Sequence, residues 1–236
     1  MSKRNVMLKM VLILVVALFL PLSARAGDLA TVEVIGYSPD GFHFAFEQYG
    51  YQDGSGFPYC EIFFIDVDEN SWAEKPVRVM VMEEQDIEGI RRQARTKAMP
   101  VLRKLGLDRA ETGTVVFKVK EGDGYFLEDR PKSANIKLSG DTYELRVTET
   151  NLAATDDDIF GPAQSLKLKL TFGSGGSVVL QDDNGSVPSS RGQARNYSIY
   201  RVLRNQAAES YVVILAYHLP DFEGPGTRFM AVSFSQ

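Results

Sequence analysis

Two loops gather the residue types that could do chemistry. Between Tyr49 and Tyr59, Gln52, Asp53 and Ser55 lie among Gly50, Gly54 and Gly56, with Tyr49 and Phe57 as aromatic faces. Between Pro220 and Arg228, Asp221 and Glu223 stand close to Arg228. Backbone amides of a glycine-rich loop, flanked by rings, can hold a ligand; equally, Asp53 and Ser55 can bond their own backbone and merely close a hairpin. A carboxylate pair drawn from Asp53, Asp221 and Glu223 could serve as acid and base in hydrolysis, because in a β fold two acids can meet from anywhere in the chain. Tyr49, Gln52, Asp53, Ser55, Phe57, Asp221, Glu223 and Arg228 therefore form the candidate interaction surface. The two loops are expected to meet, with Arg228 paired to Asp53 or Glu223 and Phe57 or Phe222 roofing the contact.

Other chemistries lack their spacing. Asp66-x-Asp68-x-Asn70 begins like a calcium loop, but Ser71 stands where glycine is required and Val77 where the bidentate glutamate belongs. His43 and His218 are the only histidines, far apart and without a cysteine cluster, so no metal is expected. Gly54-Ser55-Gly56 and Gly173-Ser174-Gly175-Gly176 are not nucleophile elbows, and no phosphate-binding glycine motif opens a helix, so no cofactor is expected. Cys60, the single cysteine, lies in the strand-like Tyr59-Cys60-Glu61-Ile62-Phe63-Phe64 and reads as a buried thiol.

The elements that would position these loops are mainly strands. Thr31 to Tyr37 alternates and ends in Ser38-Pro39-Asp40-Gly41, a turn in which proline presets φ and glycine accepts positive φ. The returning strand puts Phe42, Phe44 and Phe46 on one face and His43, Ala45 and Glu47 on the other. Two more strands follow, around Tyr59 to Asp66 and Val77 to Met82, completing a four-strand meander.

Glu83 to Leu105 carries an apolar stripe at helical spacing through Ile87, Ile90, Ala94, Ala98, Val101, Leu102 and Leu105. Pro100 should kink or split this helix, and Gly106 should stop it. The basic residues from Arg91 to Arg109 read as a solvated face or a partner patch. The remainder is again strand-like, with Tyr211 to Tyr217 apolar on both sides and hence a central, doubly covered strand. The expected fold is mainly β and antiparallel: a blade-like meander over 27–82, one amphipathic helix and linker over 83–109, and a β-sandwich or open barrel over 110–236 packed with the first region.

The leading 26 residues give an address. Lys3, Arg4 and Lys9 precede the apolar run Met10 to Leu20, and Ala24-Arg25-Ala26 forms a small-x-small site before Gly27, as in a secretory signal peptide. That run would span about half of the roughly 30 Å hydrocarbon core, too little for a stable membrane anchor. The mature chain is expected outside the cytoplasm, secreted or periplasmic. Losing the leader leaves 22 basic against 31 acidic residues, so the net charge moves from −5 to about −9. Such a surface repels phosphate polyanions and argues against nucleic acid as a partner. Without a catalytic motif fixed by spacing, a non-catalytic binding or interaction protein is expected, taking an envelope protein or glycan; the alternative is the carboxylate hydrolase.

Two resemblances accompany this reading. Tyr37-Ser38-Pro39-Asp40-Gly41-Phe42-His43-Phe44-Ala45-Phe46, followed by Glu61 to Val67, resembles one blade of a TolB-type or WD40-like propeller, and implies a single blade-like meander. The stretch Tyr37 to Gly50, then Gln52 to Tyr59 and Glu61-Ile62, resembles the opening of a bacterial family of predicted secreted proteins, domain of unknown function 2259. Phe222-Glu223-Gly224-Pro225-Gly226-Thr227-Arg228-Phe229 is similar to that family's closing motif, with Gly226 where the family carries aspartate. That resemblance implies an exported bacterial protein and assigns no activity.

Overall fold

The computed structural model describes residues 28–83, 85–119, 130–138, 140–154, 158–205, 207–222 and 224–235. The leader and Glu223 lie outside the described residues. Among the described residues, twelve strands form three antiparallel four-stranded sheets. The N-terminal sheet is the meander β1 (Thr31–Tyr37), β2 (His43–Tyr51), β3 (Pro58–Asp66) and β4 (Ser71–Met80). The outer sheet is a second meander, β6 (Ser133–Leu138), β7 (Asp141–Asn151), β8 (Gln164–Phe172) and β9 (Ser177–Asp182). Between them lies a central sheet ordered β12 (Gly226–Ser235), β11 (Ser210–Leu219), β10 (Arg195–Asn205), β5 (Thr114–Lys118). Of the two expected forms for the later strands, a sandwich or an open barrel, the central and outer sheets make the sandwich, since they share one core; among the described residues no sheet closes into a barrel.

β11 shows why the layers stack. Tyr211, Val213, Leu215 and Tyr217 face the outer sheet and meet Ile136, Leu145 and Leu168. Val212, Ile214 and Ala216 point the other way, onto Phe44, Phe46, Phe63 and Ile65 of the N-terminal sheet. A strand apolar at every position is stable only where both faces are covered, and here both are. The far face of the N-terminal sheet presents Ala45, Cys60, Ile62 and Phe64 to helix α1 (Ile87–Lys104), which supplies Ile90, Ala94, Ala98 and Leu102. Cys60 is thus fully buried, and burial pushes its thiol up to about 12, out of reach of ordinary thiolate chemistry.

The first turn closes by local bonds. The amide of Gly41 donates to the Ser38 carbonyl at 2.8 Å, and Asp40 Oδ1 accepts from the Phe42 amide at 3.1 Å. Gly41 sits at φ +80°, and a Cβ there would fall 2.6 Å from the Ala208 methyl. The Ser38 hydroxyl donates to the Asp40 carboxylate and holds its pKa below the usual value.

Helix α1 begins four residues later than its sequence pattern suggests, because the Asp86 side chain accepts from the Gly89 amide at 2.6 Å and caps the first turn. Asp86→Ala should cost about 1 kcal/mol, read as a lowered melting temperature. Pro100 does not split the helix, which runs on to Lys104 and ends with Gly106 at φ +70°. Five buried side chains hold it to the sheet, from Ile90 to Leu105, and the packing outweighs one lost backbone bond. Arg92, Arg95, Lys97, Arg103, Lys104 and Arg109 are exposed, as a solvated face requires, but part of this basic set also pairs with acids of the sheet. Arg91 and Arg95 reach down to the sheet, where Glu47 is fully buried, and Lys104 pairs with Glu74.

His218 carries a pH consequence. Its ring is buried, Asn196 Nδ2 lies 3.3 Å from Nδ1, and burial followed by the cations Arg130, Lys132 and Arg195 lowers its pKa from 6.5 to about 4. The unfolded chain therefore takes up the proton first as pH falls. Stability from a neutral His218 is complete above about pH 6.5 and is lost progressively toward pH 4, by up to about 3 kcal/mol. Urea unfolding at stepped pH should show that slope, and His218→Gln should flatten it. An identical slope in the variant would place its origin elsewhere.

Candidate functional site: a cleft along the edge of the central sheet

β12 is the edge strand of the central sheet, and the sheets on either side extend past it. The result is a cleft of about 500 Å³ whose floor is β12 at Phe229, Met230 and Ala231. One wall comes from β2, β3 and β4, and the other from Gln181 of β9 and the segment Pro188 to Arg191. The volume lies within the range of small-ligand sites.

Strand register orders the first wall. Gln48 pairs with Glu61, and Glu61 with Arg78, so the three side chains form a polar row across the sheet. Gln48 Nε2 donates to Glu61 Oε2 at 2.6 Å, and Arg78 Nε donates to Glu61 Oε1 at 2.8 Å. Both oxygens of Glu61 are thus held, while the Arg78 side chain is 57% exposed. Beside that row lie apolar pairs, Phe46 against Phe63 and Ile65 against Trp72. Phe46 and Phe63 stack at 4.9 Å between ring centroids, and Trp72, the chain's single tryptophan, stands 48% exposed at the mouth.

The opposite wall is stiffened by Arg191, which donates to Tyr197 Oη at 2.8 Å and pairs with the buried Asp183. Asp183 Oδ2 in turn accepts from the Leu166 amide at 2.8 Å, which ties this wall to β8. Asn70 bridges the walls: its Nδ2 donates to the Leu180 carbonyl at 3.2 Å, and its Oδ1 accepts from the Ser233 amide at 2.8 Å.

At the other end of the cleft, Arg228 is held by a partner 200 residues away in sequence. Its Nη2 pairs with the Asp28 carboxylate, and Nη1 donates to the carbonyls of Asp28 at 3.1 Å and Thr227 at 2.9 Å. Tyr59 Oη donates to the same carboxylate at 2.8 Å, and the Arg228 guanidinium lies 4.8 Å from the centre of the Tyr59 ring. Residues 28–30 run beside Thr227 and extend the edge there by one parallel bridge.

The candidate residues named from sequence are dispersed. Arg228 lines the cleft, but its carboxylate partner is Asp28 and not Asp53. The bases of the two loops meet through Tyr59 and Arg228, whereas the tips go elsewhere. Tyr49 lies within β2 beneath the helix, its ring 4.2 Å from the Arg91 guanidinium. Gln52 and Phe57 close the hairpin by a 2.8 Å backbone bond, Ser55 Oγ donates to Gln52 Oε1 at 3.2 Å, and Asp53 Oδ1 accepts from the Gly54 amide at 2.9 Å. Asp221 Oδ1 accepts from the Phe222 amide at 2.7 Å, and the Phe222 ring packs on Phe160 instead of roofing Arg228.

Sequence reading missed Gln48, Glu61, Asn70, Trp72, Arg78 and Gln181. The one local signal was a lone tryptophan set among polar residues in Ser71-Trp72-Ala73-Glu74. Among the described residues, no group of three or more His, Cys, Asp or Glu is placed to hold a metal ion, and no helix is long and apolar enough to cross a membrane.

Fold and site together define a layered antiparallel β protein with a ligand-sized cleft at the free edge of its middle sheet. The chain belongs to the DUF2259 family, described as predicted secreted protein, whose model matches residues 45–234. No curated protein and no solved structure matches it.

Proposed function

We propose that this is an exported, non-catalytic binding protein of the cell envelope whose ligand enters the cleft over β12. The observation that carries the reading is the construction of the cleft. Its walls offer an exposed indole, an exposed guanidinium and apolar rings, and Glu61, the one carboxylate lining it among the described residues, has both oxygens engaged. Glycoside hydrolysis by paired carboxylates needs two of them facing one bond about 5–9.5 Å apart. Of the three acids named for that role, Asp53 and Asp221 brace their own turns, and Glu223 lies outside the described residues. Hydrogen bonds from Ser38 and Lys167 hold the carboxyls of Asp40 and Asp182 below the usual carboxylate range, opposite to the direction required of a general acid.

Trp72 makes the reading testable with the unlabelled protein. Fractions of envelope extract added to the purified chain should shift its emission, and Trp72→Phe should abolish the signal while a pull-down from the same extract retains the ligand. A broad hydrolase screen run alongside should stay at background. Turnover lost on Glu61→Gln would replace binding by catalysis. The export half of the proposal rests on the leader pattern and the family's description. N-terminal sequencing of envelope material should begin at Gly27; an intact Met1 would refute processing after Ala26.

A further inference from the structure

The floor of the cleft is a strand edge with an opening of defined length. β12 pairs with β11 in unbroken antiparallel register from Ser210↔Ser235 to Leu219↔Gly226. In such a ladder, alternate residues turn their N–H and C=O away from the partner strand. Thr227, Phe229 and Ser233 belong to the outward set, since their amides donate to the Asp28 carbonyl, Gln48 Oε1 and Asn70 Oδ1. Ala231 lies between the last two and therefore points its N–H and C=O into the cleft. Among the described residues, no group of the protein meets them. Gln48 and Asn70 thus cover the edge at two positions four residues apart, about 13 Å, and leave its middle open.

We propose that this opening receives a short extended peptide with a free C-terminal carboxylate, laid antiparallel to β12 as an added strand. The inference rests on the binding reading above and names its ligand class. One peptide residue faces Ala231 and exchanges two backbone hydrogen bonds with it. The polar row fixes direction: Gln48 reaches the Phe229 end of the opening, and Arg78 stands on the same row with its Nη groups unpartnered among the described residues. A carboxylate at that end meets the exposed charge of the cleft. The three lining arginines each have a carboxylate partner, but those partners are withdrawn, with Asp183 1% and Asp28 8% exposed, whereas Arg78 is open. The peptide's side chains lie along Phe63 and Trp72. Main-chain pairing gives affinity, and the pockets beside it give selectivity.

Acetylated trialanine and its leucine-centred analogue, each as the free acid and as the C-terminal amide, are the probes. Binding is read by Trp72 emission and by amide exchange at Ala231 measured by NMR. The free acids should slow exchange at Ala231 and bind about tenfold more tightly than the amides. Arg78→Gln should remove that preference without changing the affinity of the amides, and melting temperature would show that it folds. Equal binding of acid and amide would overturn the role of Arg78. A Trp72 shift with unprotected Ala231 would overturn strand addition. An N-acetylglucosamine oligomer that shifts Trp72 where the peptides do not would leave the cleft as the site and refute the peptide. If envelope extract and all probes leave Trp72 unchanged, the binding reading falls with it.

Discussion

Arg228→Ala is expected to destabilise the protein by about 3–5 kcal/mol, the range for removing one partner of a buried ion pair. Asp28 and Arg228 have side chains only 8% and 17% exposed. Without the guanidinium, the Asp28 carboxylate keeps one hydrogen bond, from Tyr59 Oη at 2.8 Å. The Asp28 and Thr227 carbonyls lose a donor as well, and the Tyr59 ring loses its cation. Three chain segments far apart in sequence are joined at this point, so the loss should appear in global unfolding by urea and not only in local fraying. Asp28→Ala should cost a similar amount for the converse reason. Arg228→Lys should fall between, since an ammonium keeps the charge but not the planar fork. A loss below about 1 kcal/mol in both alanine variants would show that the pair behaves as an exposed one.

Glu47→Ala is the second change of this size, again about 3–5 kcal/mol. Its side chain is fully buried between β2 and α1. Arg91 Nε donates to Oε1 at 2.8 Å, and Arg95 donates to both oxygens, each at 3.0 Å. The arginines have lesser alternatives: Glu88 lies 2.7 Å from Arg91, and Glu33 contacts both. Burial alone would lower the pKa of Arg91, but its hydrogen bonds to Glu47 and Glu88 more than compensate and raise it. Loss of the glutamate therefore leaves cations over an apolar floor, whereas Arg91→Ala leaves Glu47 still held by the Arg95 fork. The expected order is Glu47→Ala above Arg91→Ala, with Arg95→Ala mildest because that side chain is 46% exposed. Their combined effects should be well short of additive. A reversed order would mean that the cluster is held by the surface glutamates.

Both predictions concern contacts that the linear chain conceals, and the cleft shares that property. What the sequence by itself determined was local. The Ser38 to Gly41 turn, the Ile90 to Leu102 stripe, the Gly106 stop and the two-sided apolar run of β11 are each visible within one window. Their cause is the backbone's own period, 2 in a strand and 3.6 in a helix, together with the φ preferences of Gly and Pro. Antiparallel meanders follow from short turns between successive strands, which is why the first four strands could be ordered in advance.

Which sheet covers which was decided only in three dimensions. Asp28 and Arg228, Asn70 and Ser233, and Gln48 and Phe229 join residues more than 160 positions apart, and no periodicity encodes such meetings. Pro100 stayed inside its helix because the helix is held by its packing against the sheet and not by propensity. Arg91 and Arg95 turned inward because stacking places Glu47 beneath them. The opening at Ala231 exists only because the two neighbouring sheets extend past the edge of the middle one, leaving a backbone N–H and C=O where no side-chain pattern could mark them.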